Sequence, residues 1–503
     1  MKQGARRQGW LWLALLVVWT VWIDLGRFHA GAIADAVIPV LVSLLKWTPF
    51  YWEQDRYGML VPLLAMPIKS PFANLIVQSG CTIFAGLACF FLLARYFFDA
   101  RVAPTIAAAA IGWFLAFSDP DFPYAWLSIA MFYGPALALG LGAFLLVEPN
   151  EERRPGPLRW GGALIMMVLA HWINFSIGIL LLLLFAARAF GDPLRGAPSA
   201  RPAASGWRGE LLVRARALFN ARLLLLAAGV VAGRIIMSTA PPEGRQIGGY
   251  KLLPVHDWLA AWTTALGQRD YGFGPWAAYA FAGLLVGLLV HWRAPRTRAV
   301  ARPGAPLAGV AAAIVYGLVV EASLHALGGG FPGRYLAPSA AILCVLGVGL
   351  AIASVWPLLG PRAQRAAPLV VAVMTSLAVL VRFGTPSLAR VHASLDERYG
   401  ERTDDLDAAG CTHILGFYWQ VWPSVLHAMI RFHGRGEDRI LWGVGHRSIP
   451  TISLWKQVPP EKMTLCAGKD HVADAQAAAR FFGLPPVSVA SERATIVVLG
   501  FER

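Results

Sequence analysis

Residues 24–59 read DLGRFHAGAIADAVIPVLVSLLKWTPFYWEQDRYGM, and the reading of this stretch decides the reading of the chain. It lies between two apolar runs, residues 9–23 and 72–97, so it sits at one water-facing edge of a bilayer. Asp24, Asp35, Glu53 and Asp55 stand there among Trp47, Phe50, Tyr51, Trp52 and Tyr57. Aromatic rings favour the headgroup level because an apolar body is joined to a part that stays wet. The pattern therefore sets carboxylates where the head of an amphiphile would lie. Residues 31–46, interrupted by Asp35 and Pro39, are too short to span and read as a helix lying in the interface.

The composition agrees. Of 503 residues, 57% are hydrophobic and 15% charged, and the mean hydropathy of +0.55 excludes an ordinary soluble protein. A net charge of +15 raises the question of nucleic acid. The arginines instead collect in short loops beside apolar runs, as the positive-inside rule requires, so no nucleic-acid partner is expected.

Lys2, Arg6 and Arg7 precede the first apolar run, which therefore starts in the cytoplasm as a retained first span. Basic loops at Arg95–Arg101, Arg153–Arg159, Arg195–Arg216, 293–302 and Arg362–Arg365 mark the returns to that side. Residues 160–190 join two such loops and carry HWIN in their middle, which predicts a hairpin of two short helices bordering a cavity. The expected fold is an α-helical polytopic membrane protein of about eleven transmembrane helices. From about Thr385 hydropathy falls, which divides the chain into a membrane part, 1–384, and a small extracytoplasmic α/β domain, 385–503. There ILGFYWQVWPSVLHAMIRF reads as helix, and RILWGVG and ATIVVLGF as strands. Cys411 and Cys466 both fall in this part, where a disulfide would persist, whereas Cys81, Cys89 and Cys344 read as packing residues.

Three features share the outer face. The loop after the first span brings Asp24, Glu53, Asp55 and Arg56; Asp119-Pro120-Asp121 is a D-x-D of the kind that suits a divalent cation such as Mg or Mn. GGGFPGRYLAP brings Arg334, whose guanidinium pairs with a phosphate through two parallel hydrogen bonds. His171 at the turn of the hairpin, and Glu321 and His325 one turn apart before that motif, are further candidates for contacting a substrate. Each has a plainer reading: Asp24 as the solvated end of a helix, Asp55 and Arg56 as a surface ion pair, Asp119 and Asp121 as turn formers. Tyr418, Trp419, Trp422 and His446 would stack a carbohydrate or fill a core.

The R-Y-x-x-P at Arg334, Tyr335 and Pro338, opening a late span, resembles the corresponding place in the GT-C superfamily of integral-membrane glycosyltransferases. The acidic first outer loop, the D-x-D in the second and the outer C-terminal domain are similar too. The resemblance implies inverting transfer of a sugar from a polyprenyl-phosphate donor to a glycan, lipid or protein acceptor, at the outer face of a bacterial cytoplasmic membrane. A carboxylate of the first outer loop would take the acceptor's proton; the family's usual position favours Asp24, and the crowded WEQDRYG favours Asp55, with Glu53 beside it. Arg334, Tyr335 and Arg56 would hold the donor phosphate. Two rival readings are a polysaccharide polymerase or O-antigen-ligase-like enzyme, expected to carry more arginines than residues 240–274 supply, and a lipid-linked saccharide flippase, expected to show two similar halves.

Overall fold

The computed structural model describes residues 2–31, 34–54, 57–129, 132–148, 155–191, 220–239, 252–267, 273–293, 304–323 and 333–501. Among the described residues, five helices are long and apolar enough to cross a membrane by length and composition: Pro71–Phe97, Ala221–Ser238, Gly304–Glu321, Ala337–Leu358 and the apolar half of Pro361–Ala408. Shorter apolar helices include Ala103–Phe117, Tyr133–Leu146 and Ile177–Gly191. The first helix, Lys2–Asp24, packs against Pro71–Phe97 and Pro361–Phe383, and Trp19 Nε1 donates to Ser376 Oγ at 2.9 Å. Two short helices, Pro157–Ile173 and Ile177–Gly191, are broken at Asn174 as expected, but they do not pack on each other as a hairpin: the first lies on Tyr133–Leu146 and Ala221–Ser238, the second on Gly304–Glu321.

Local sequence sets the boundaries. Ser70 caps the Pro71–Phe97 helix by accepting from Ala73 N, and Pro71 fills a first-turn position whose amide would have had no partner. Gly384, at φ +76°, ends the Pro361–Phe383 helix, and Ser387 caps the next one, Leu388–Ala408. That turn is knitted to the end of the first helix: Arg27 N donates to Phe383 O, and Ser387 N to Leu25 O, each at 2.8 Å.

Ala34–Leu44 departs from expectation. Nine of its eleven residues are buried, so it does not lie on a membrane surface with one face in lipid. It is wedged between Pro71–Phe97 and the helix Tyr418–Gly434. Pro39 supplies no amide to the helix, and its carbonyl belongs to a buried polar network instead. Gln78 Nε2 donates to Pro39 O, Ser43 Oγ and Asn74 Oδ1; Ser43 Oγ also donates to Asn74 Oδ1. Asn74 Nδ2 in turn reaches Ala65 O and Ile68 O. Polar residues in this apolar run thus fasten a short helix where a long apolar one would have crossed.

After Ala408 comes a five-stranded sheet in the order β2-β1-β3-β5-β4, from β1 His413–Gly416, β2 Trp442–Gly445, β3 Leu465–Gly468, β4 Val487–Glu492 and β5 Ile496–Phe501. β1 runs parallel to both its neighbours, while β5 is antiparallel to β3 and β4. The stretch expected to be helical from Ile414 is strand as far as Gly416 and helix from Tyr418. Gly416, at φ +117°, makes the break between them. Cys411 and Cys466 form a disulfide with Cα atoms 6.0 Å apart. One hydrophobic core runs from the first helix through Trp52 into Trp422 and Val425, and a second covers the other face of the sheet around Trp455 and Phe482.

Candidate functional site

Asp35 stands at the start of the wedged helix, and three parts of the chain converge on its carboxylate. Arg334 Nη1 lies 3.3 Å from Oδ2. Oδ1 accepts from the Tyr418 hydroxyl, a short contact, and from the Tyr51 hydroxyl at 3.3 Å. The two tyrosine oxygens are themselves 2.9 Å apart. Burial and the Asp35 charge hold the Tyr418 phenol well above its ordinary pKa, and burial does the same for Tyr51, so both stay protonated and act as donors.

Arg334 belongs to a short turn, Gly333–Tyr335, immediately before the Ala337–Val355 helix. Pro338 occupies the first turn of that helix, where it removes no needed donor. The guanidinium stacks over the Tyr335 ring at 5.2 Å, and Nη2 reaches the Tyr335 hydroxyl at 3.4 Å. Of the five guanidinium N–H bonds, these contacts use two, both long, and among the described residues Nε has no partner. The side chain is 29% exposed. It is a cation held in place with capacity for an anion.

The turn from Asp119 to Asp121 adjoins this place. The short helix Asp121–Leu127 packs against Gly333–Tyr335. Its Tyr124 stacks on Phe28 at 5.4 Å, and Tyr124, Ser128 and Ile129 line a small cavity with Phe28, His29, Ala36, Val37 and Ser79. His29 Nε2 is 3.0 Å from Asp24 Oδ1, and both side chains are buried. Asp24 is therefore buried as the partner of His29, which lines the cavity, and is not the solvated end of a helix.

Glu53 does other work. Its carboxylate accepts from Arg447 N at 2.9 Å and Ile449 N at 2.8 Å, while Arg447 Nη1 donates to the Glu53 carbonyl at 2.9 Å. Both residues have positive φ, +57° and +80°, a backbone state that costs energy and persists only where neighbours enforce it. With 4% of its side chain exposed, Glu53 clasps its loop to the sheet, and its two carboxylate oxygens are each taken by a backbone amide. His446 Nδ1, 3.6 Å away, is beyond hydrogen-bond range.

Asp119 Oδ1 accepts from Asp121 N at 3.0 Å, closing a turn at the head of the short helix. Burial, then the Asp119 charge, raises the Asp121 pKa. Among the described residues no group of three His, Cys, Asp or Glu stands together as metal ligands, so the pair alone is not a protein-built metal site. His171 is buried just before the break at Asn174, with Nδ1 2.8 Å from Met167 O and, among the described residues, no partner for Nε2. Glu321 is fully buried, and no described residue pairs with either carboxyl oxygen. Trp422 is core, packed edge-on to Trp52 at 5.4 Å, while Trp419 is 41% exposed beside Tyr418. Asp55, Arg56 and His325 lie outside the described residues. The sequence reading sets Asp35 among the headgroup-level carboxylates but gives it no role in the site, because its partners lie far along the chain.

The fold, many helices with short helical pieces between them and a small mixed sheet after Ala408, recurs among solved structures. The likeness that carries this is to the crystal structure of ArnT from Cupriavidus metallidurans bound to undecaprenyl phosphate, with a TM-score of 0.50, 16% identity and 98% of each chain covered. At that identity the likeness is one of fold. A second match, the Archaeoglobus fulgidus oligosaccharyltransferase in complex with Zn and sulfate, has a TM-score of 0.40 and 12% identity over 90% of this chain and 68% of that one, and no argument rests on it. No family model matches the sequence, and no curated protein does.

Proposed function

We propose that this chain is an inverting glycosyltransferase that takes a sugar from a polyprenyl-phosphate donor and passes it to a lipid, glycan or protein hydroxyl. The observation that carries the reading is Arg334, seated on Asp35 where the first, second and late outer segments meet, with an Nε that no described residue pairs. The ArnT fold, in a structure that holds undecaprenyl phosphate, supports the donor class.

In this reading a carboxylate of the first outer loop removes the acceptor proton as the acceptor oxygen bonds to the anomeric carbon. The bond from that carbon to the phosphate oxygen breaks on the opposite face, and the polyprenyl phosphate leaves with the negative charge. Arg334 offsets that charge. Asp24, buried against the cavity-lining His29, and Asp55 are the two candidate bases. A cation at Asp119 and Asp121 would draw its other ligands from donor phosphate and water, and no step above depends on it.

The proposed setting is a bacterial cytoplasmic membrane crossed about eleven times, with the N-terminus inside and the disulfide-bearing sheet outside. The test is transfer from a radiolabelled polyprenyl-phosphate sugar by the purified protein, beside Asp24→Asn and Asp55→Asn. One of the two is expected to lose about 1000-fold in kcat, the scale of a lost general base. Parental rates in both would remove the base from this loop.

A further inference from the structure

Tyr418 is distant in sequence from every element of the membrane part, yet its hydroxyl donates to the same carboxylate that holds Arg334. It is the first residue of the helix Tyr418–Gly434, and that helix is fixed by two independent attachments. Trp422 packs on Trp52 and donates from Nε1 to His446 O at 2.8 Å, while the neighbouring Arg447 is clasped by Glu53. Tyr418 therefore cannot withdraw unless the sheet-bearing part of the chain lifts away.

The balance at Asp35 gives that contact a consequence. A carboxylate whose only partner is an arginine attracts the guanidinium strongly and competes with any incoming phosphate. Here Oδ1 is taken by two phenols that remain protonated. The carboxylate's charge is thereby shared, and only one long contact, Nη1 to Oδ2, ties Arg334 to it. Asp35 then fixes where the guanidinium stands without consuming its donors.

We infer that Tyr418, with Tyr51, is a positioning residue that tunes the hold of Asp35 on Arg334, so that the C-terminal α/β part completes the binding site for the donor phosphate. The inference rests on the reading of Arg334 as a phosphate-binding group. It makes the C-terminal part a component of the donor site and not an appendage.

The experiment measures binding of polyprenyl phosphate to the purified full chain, and KM and kcat for the sugar-linked donor, in Tyr418→Phe, Arg334→Ala and the double variant. Tyr51→Phe is a second conservative probe, and thermal unfolding shows that each variant is folded. Tyr418→Phe is expected to weaken lipid binding and raise donor KM about tenfold, the scale of one charge-assisted hydrogen bond, with kcat nearly unchanged. In the double variant the loss should equal that of Arg334→Ala alone, because both act through one contact. Unchanged binding in Tyr418→Phe, or losses that multiply in the double variant, overturn the inference. A parent that binds the lipid but transfers no sugar defeats the transferase reading while leaving this one standing, and a parent that binds no polyprenyl phosphate defeats both.

Discussion

Single residues carry the two attachments on which the site depends. Glu53 satisfies two backbone amides with one carboxylate, so Glu53→Ala leaves buried donors without partners and is expected to cost about 2–4 kcal/mol. Thermal unfolding of the purified protein reads it directly. His413 offers a pH handle: burial pushes its pKa down to about 4 from 6.5. The unfolded chain then binds the proton more tightly than the folded one. Stability tied to this group is complete above pH 6.5 and is lost as pH falls toward 4, by roughly 3 kcal/mol. Melting curves between pH 7.5 and 4.5 should show that decline, and His413→Phe should blunt it.

Elements show what the sequence exposes and what it hides. The apolar runs locate the helices because length and hydropathy are local properties, and Pro71–Phe97 begins and ends within a residue of the expected run, 72–97. Ala34–Leu44 looked interfacial because it is short and broken by Asp35 and Pro39. Its burial depends on Tyr418–Gly434, hundreds of residues away, which no local pattern reports. The same distance hides the pairing of Asp35 with Tyr418 and Arg334, whereas Arg334 itself was legible from its motif. The network around Asn74 gives a test of the wedge: Asn74→Ala removes the partner of Ser43, Gln78 and two carbonyls. A loss of about 1–3 kcal/mol is expected in detergent unfolding.

Across the whole molecule, one hydrophobic core joins the membrane helices to the helix that presents Tyr418, so the sheet is part of the structure that holds Arg334 in place. The Cys411–Cys466 bridge closes a loop across a sequence separation of 55. Replacing both by serine should destabilise that part by about 4 kcal/mol on the loop-closure estimate and, through Tyr418, weaken donor binding. The central claim is that the guanidinium beside Asp35 receives the phosphate of a lipid-linked sugar. The direct measurement is transfer from a radiolabelled polyprenyl-phosphate sugar by the parent and by Arg334→Ala. The parent should transfer, and the variant should fall about 100-fold or more in kcat/KM, the scale of removing one charge-stabilising donor; a variant as fast as the parent would place the chemistry elsewhere.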